Sequence, residues 1–165
     1  MVDLYRYHKI EIFFLEYIKN INTPTYNKMS VVRMPTETDK STGLLAEKLV
    51  IPIVSKEMNR DYKKTSEYCG YDAEDNKGNR LEIKSRTKDY NQYPTTLIPA
   101  KKVLHKGKGD LHFVFKFRQG DIYIIKYDKE KFEKFDIFYA YEKKYDKIIV
   151  TPNYEIPIQL LHRLR

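Results

Sequence analysis

The sequence predicts an α/β domain in which a β-sheet is flanked by helices, and three observations predict it. An amphipathic helical pattern precedes a hairpin whose turn residues fix its register. A short lysine-bearing helix separates that hairpin from the next one. The second hairpin is made of two dense β-branched and aromatic strands, the clearest in the chain. A length of 165 residues is the size of one domain with one sizeable core, and neither a repeat nor a linker divides it, so 1–165 reads as a single unit.

The elements follow in order. Residues 3–20 place Leu4, Tyr7, Phe14, Tyr17, Ile18 and Ile21 at helical spacings, with His8 as a packing or surface residue, and Asn22-Thr23-Pro24-Thr25 ends that helix. A short strand is expected over 30–34 and a polar loop over 36–40. Ser41 or Thr42 caps a second helix carrying Leu44, Leu45, Leu49 and Ile51, which Pro52 interrupts; 53–64 reads as further helix fading into a polar connection. Residues 65–75 and 80–87 form the first hairpin, and 87–94 is a loop. Pro99 suits the first turn of a short helix over 100–105, closed by Gly107-Lys108-Gly109. The dense strands are 111–117 and 121–127, joined through Arg118-Gln119-Gly120, with His112 as a packed histidine. A short helix over 129–135, an edge strand over 148–150 and a terminal helix over 157–163 with Leu160, Leu161 and Leu164 inward complete the reading.

Charge and composition narrow the function. The net charge is +8, and eleven basic residues against three acids between Lys77 and Arg118 carry all of it, which favours a polyanionic partner held beside the first hairpin. No apolar run is long enough to span a membrane, so no membrane partner is expected. The first residues lack a secretory pattern, and Cys69, alone, can build neither an intrachain disulfide nor a thiolate metal site. An intracellular, cytoplasmic protein is therefore expected, or one of the host nucleus or cytoplasm if the source is viral.

The first hairpin concentrates the chemistry. Asp75-Asn76-Lys77-Gly78 offers Asp at the first and Gly at the fourth position of a type I turn, closing a three-residue loop with a bulge. In that register Asp75 faces Asn79 and Asp72 faces Glu82; a two-residue loop would put Asp72 across from Ile83 instead. Strand alternation places Glu82, Lys84 and Arg86 on one face and Leu81, Ile83 and Ser85 on the other. Two opposed carboxylates destabilise a strand pair unless a cation lies between them, and hard divalent ions take such oxygen ligands while keeping positions for water and phosphate.

Asp72, followed by Glu82-Ile83-Lys84 in an apolar strand after a Gly-containing turn, resembles the Asp…Glu-x-Lys signature of the PD-(D/E)xK nuclease superfamily, with Tyr71 where the namesake motif has Pro. Gly43-Leu44-Leu45-Ala46-Glu47 resembles the preceding helix, whose Glu often reaches the metal through water. The likeness covers about residues 41–127 and implies a restriction-endonuclease-like mixed β-sheet with flanking helices. It implies Mg²⁺-dependent hydrolysis of DNA phosphodiesters, with Mn²⁺ as a substitute. Asp72, Glu82 and the Ile83 carbonyl would be metal ligands, Glu47 a water-mediated one, and Lys84 would be oriented on the attacking water. Arg86, Lys88, Lys101, Lys102, Lys106 and Lys108 are the candidate phosphate contacts. Cutting both strands would favour a homodimer, since one such site cuts one strand. Restriction, repair, recombination and viral roles stay open, as does RNA as a substrate. The alternative is a non-catalytic nucleic-acid-binding module on the same scaffold, which needs the basic block but not both acids.

Overall fold

A computed structural model describes residues 37–144 and 147–165, with side chains over 41–141 and 148–165. The expected helix over 3–20, the 22–25 terminator, His8 and the strand over 30–34 lie outside the described residues. Helix α1 (Glu37–Met58) leads into β1 (Lys63–Lys64), β2 (Ala73–Glu74) and β3 (Arg80–Ser85). Strand β4 (Thr95–Pro99), a 3₁₀ helix (Ala100–His105), β5 (Leu111–Lys116) and β6 (Ile122–Lys126) follow. Helix α2 (Lys129–Phe132), β7 (Ile137–Lys144), β8 (Lys147–Pro157), a 3₁₀ turn (Ile158–Leu160) and β9 (His162–Arg163) complete the order.

The strands form two sheets. The larger runs β1-β2-β3-β5-β6-β9, and the smaller runs β4-β8-β7. β3 is antiparallel to β2 and parallel to β5, which is antiparallel to β6, so the large sheet is mixed. A parallel neighbour needs a long crossover. Here the crossover leaves the sheet after Ser85, contributes β4 to the second sheet, passes through the 3₁₀ helix and returns as β5.

Burial explains why the layers stack. Leu81, Ile83, Val114, Ile122 and Ile124 pack on Val50, Ile51 and Val54 of α1. Leu111, Phe113, Phe115, Tyr123 and Ile125, on the opposite face, pack on Ile98 of β4, Ile156 of β8 and Phe132 of α2. Period-two alternation thus feeds two apolar layers from one sheet, and β5 and β6 are buried on both sides, as their aromatic and β-branched density predicts.

Several expectations need correction. Residues 37–40, expected as loop, are helical. Pro52 does not interrupt α1, because burial of Val50, Ile51 and Val54 around it outweighs the roughly 3 kcal/mol that an interior proline costs. The buried face is Ala46, Val50 and Val54, while Leu45 and Leu49 are 60% and 57% exposed. This rotation turns Glu47 toward the sheet. Lys63 and Lys64, expected as fading helix, form β1, and β4 and β7 were not anticipated. Over 148–150 β8 pairs with β7 alone, the edge position expected, and only over Asn153–Pro157 does β4 make it the centre of its sheet; Pro152 fits because it has a single hydrogen-bonded neighbour. The terminal helix is a single 3₁₀ turn followed by β9 on β6. Leu161 is buried even so, with Leu160 and Leu164 packed on the core. No helix among the described residues is long and apolar enough to cross a membrane.

Candidate metal centre and nucleic-acid interface

The turn sets the site. Asp75 N–H donates to Asn79 O and Gly78 N–H to Asp75 O, while the Asp75 carboxylate accepts from the N–H groups of Lys77 and Asn79 and from Asn79 Nδ2. Gly78 takes φ +77°, which a side chain would disfavour. Burial alone would raise the Asp75 pKa, but these hydrogen bonds lower it on balance. The ladder then runs Glu74 opposite Arg80 and Ala73 opposite Leu81, the three-residue-loop register.

β2 ends at that point. Arg80 and Arg86 N–H donate toward the β5 side, to Asp110 O and Lys116 O, and Leu81 O accepts Asp72 N–H from the β2 side. Backbone alternation therefore directs both the N–H and the C=O of Ile83 past the end of β2. The Asp72 carboxylate fills that gap, Oδ2 accepting the Ile83 N–H at 2.6 Å.

Glu82 lies on the opposite face from Leu81 and Ile83, its side chain 1% exposed. Lys84 Nζ stands 2.5 Å from Oε1. Lys102 Nζ, from the 3₁₀ helix, lies 2.8 Å from Oε1 and 2.9 Å from Oε2, and also donates to Gly70 O at 3.0 Å. On the α1 side, Glu47 Oε2 pairs with Lys64 Nζ of β1 at 2.8 Å. The group wraps the open end of the sheet: Glu47 from one layer, Asp72 and the Ile83 main chain in the sheet, and Glu82, Lys84 and Lys102 from the other.

Asp72 is the acid without a salt bridge. Among the described residues no ammonium pairs with it, while burial, then the charge of Glu82 and in smaller measure that of Glu47, push its carboxyl up to about 6; the Ile83 N–H and Lys84 oppose the rise. A cation beside it would relieve what the protein's own lysines do not. Among the described residues no group of three or more Asp, Glu, His or Cys is placed to hold a metal ion. Asp72, Glu82 and the Ile83 carbonyl would offer a hard ion two carboxylates and one main-chain oxygen, leaving its other positions to water.

The expected phosphate contacts divide. Lys88, Lys101 and Lys108 are exposed and Lys106 half-buried. Lys102 belongs to the acid cluster. Arg86 holds the fold together: it donates to Thr96 Oγ1 and Leu97 O and lies over the Phe115 ring, and burial lowers its pKa to about 10, leaving it charged at neutral pH. Lys64 was missed by sequence reasoning, since a lysine in a polar connection carries no signal until β1 pairs with β2. Glu74 is engaged away from the cluster, by Arg80 Nε at 2.9 Å and the Tyr71 hydroxyl at 3.1 Å. His112 is buried, with Nδ1 lacking a hydrogen-bond partner and its pKa lowered by burial to about 4, so it is neutral and packed.

No protein-family model matches the chain, and no curated protein matches it in sequence.

Proposed function

We propose that the chain is a metal-dependent endonuclease that hydrolyses DNA phosphodiester bonds. One observation carries this reading: Asp72, a carboxyl raised by burial and by Glu82, has no pairing ammonium among the described residues and sits at a gap in the sheet where the Ile83 carbonyl also points. A half-buried acid beside a buried one is costly unless the pair has a task, and perturbed groups of this kind mark functional sites. The order of helix, three-stranded antiparallel run, connecting helix and parallel strand is in keeping with the restriction-endonuclease-like fold.

Asp72, Glu82 and the Ile83 carbonyl would hold Mg²⁺, with Glu47 reaching it through water. The ion would supply charge for the transition-state phosphate and a more acidic water. Lys84 orients the nucleophile and offsets developing negative charge, while Glu82 fixes its ammonium at 2.5 Å. Asp72 orders the strand end through the Ile83 N–H.

Lys84→Ala is expected to retain Mg²⁺ binding by calorimetry and to nick supercoiled plasmid about a hundredfold more slowly, whereas Glu74→Ala should keep most activity. Chelator should abolish nicking by the parent. A parent that shifts DNA on a gel with or without metal and never nicks it would instead be a binding module. Lys84→Ala cutting like the parent would remove the assigned chemistry.

The basic residues that remain free supply the substrate contacts. Replacing Lys101 and Lys108 together with alanine should reduce the slope of log affinity against log salt by about 1.8 if both neutralise duplex phosphates. An unchanged slope would place the DNA elsewhere. Lys102, held by Glu82, is left out of this pair.

A further inference from the structure

We propose that Lys102 is a counter-cation on Glu82 that competes with a metal ion for that carboxylate and, when displaced, serves the substrate phosphate. The inference rests on the nuclease reading above and assigns a further substrate-contacting residue within that site.

The geometry distinguishes Lys102 from Lys84. Lys84 approaches one oxygen of Glu82, whereas the Lys102 ammonium contacts both, at 2.8 and 2.9 Å, and donates a further hydrogen bond to Gly70 O. A cation bridging both oxygens of a carboxylate stands where a metal bound to that carboxylate would compete with it. Lysine can yield because its charge sits on a flexible four-carbon stem. The backbone beneath it is fixed: Arg80 NH1 donates to His105 O at 2.7 Å, and Gly70 lies so close to the His105 ring that a Cβ there would meet the ring's Cε1 and Nδ1 at 2.2 Å. Displacement therefore moves one side chain and leaves the 3₁₀ helix in place. The Lys102 side chain is itself 20% exposed, so solvent already reaches it. Two ammonium groups meet on Glu82, and the second shares both its oxygens although Asp72 beside it has no ion pair among the described residues. The second ammonium is accounted for if it serves a phosphate once the metal is bound.

The test is Mg²⁺ binding by calorimetry, in the absence of DNA, on the parent, Lys102→Met and Lys102→Arg. Removing the competing charge should tighten Mg²⁺ binding by about twofold to fivefold, the worth of one partly exposed ion pair. The arginine variant, whose planar fork fits a carboxylate better, should weaken it below the parent. At saturating Mg²⁺, Lys102→Met should nick about tenfold more slowly, having lost a contact to the reacting phosphate. A lysine that merely props up Glu82 predicts the reverse order, with Lys102→Met binding Mg²⁺ no better than the parent, and that result overturns the proposal. Should Lys102→Met fail to fold, Lys102→Arg decides alone: weaker Mg²⁺ binding supports release, and equal or tighter binding refutes it. A parent that takes up no Mg²⁺ at all overturns the nuclease reading itself, an outcome distinct from a wrong order among variants.

Discussion

Asp72→Asn is expected to leave a protein that melts at a higher temperature near neutral pH and no longer cleaves DNA. The carboxyl's pKa is raised from 3.8 to about 6 on folding, so between those values the folded state holds the proton more tightly than the unfolded chain. Its contribution to stability is therefore most favourable below about pH 4 and is lost as pH climbs through 6. Asparagine keeps an oxygen to accept the Ile83 N–H but carries no charge. After allowance for partial solvent access, the gain at pH 7 should be about 1–2 kcal/mol, or several degrees in Tm for a domain of this size. The melting temperatures of parent and variant should converge as pH falls from 6 to 4. Added Mg²⁺ should stabilise the parent and not the variant. A variant less stable than the parent at pH 7 would show that Asp72 is anchored rather than strained, and residual nicking would exclude it as a ligand.

Glu82→Ala should also abolish cleavage, but with the opposite effect on stability. Removing this carboxylate leaves Lys84 and Lys102 facing one another without a counter-charge, in a place where their side chains are only 27% and 20% exposed. Breaking a buried pair by deleting one partner costs 3–5 kcal/mol, and since both lysines reach some solvent about 2–3 kcal/mol is expected here. Glutamine, which retains the shape and one acceptor, should recover part of the stability and none of the activity. Thermal melts beside chelator-controlled nicking assays would measure both. If Glu82→Ala proves as stable as the parent, the two ammonium groups do not depend on it.

What the sequence revealed was local. Asp75 and Gly78 announce their turn by residue type, and the turn fixes the register that brings Asp72 to the end of β3; β5 and β6 announce themselves because burial on both faces leaves little room for polar residues. The acid–lysine pair Glu82 and Lys84 was legible because only Ile83 separates them on one strand. Lys102 was legible as a basic residue but not as a partner of Glu82, since twenty residues and an excursion into another sheet lie between them. The strand β4 was hidden for the same reason: Thr95-Thr96-Leu97-Ile98-Pro99 has nothing nearby to pair with, and its partner β8 is more than fifty residues away. The orientation of α1 followed from packing against a sheet, a constraint that its many apolar side chains could satisfy on more than one face. Glu47 could be proposed on α1, but only Lys64 on β1 shows which way it turns.

The excursion that hides β4 also sets an order of assembly. Asp72, Glu82 and Lys84 are all present once the chain has been made as far as β3, and their turn closes over a handful of residues. The 3₁₀ helix that carries Lys102 follows directly from β4, whose ladder is completed only when Tyr154, Glu155 and Ile156 have been added near the end of the chain. During synthesis, at about 5–20 residues per second, several seconds separate the two halves of the centre. A nascent chain thus carries its acids before the lysine that neutralises them has a fixed seat, and the full constellation forms only once β8 has been made.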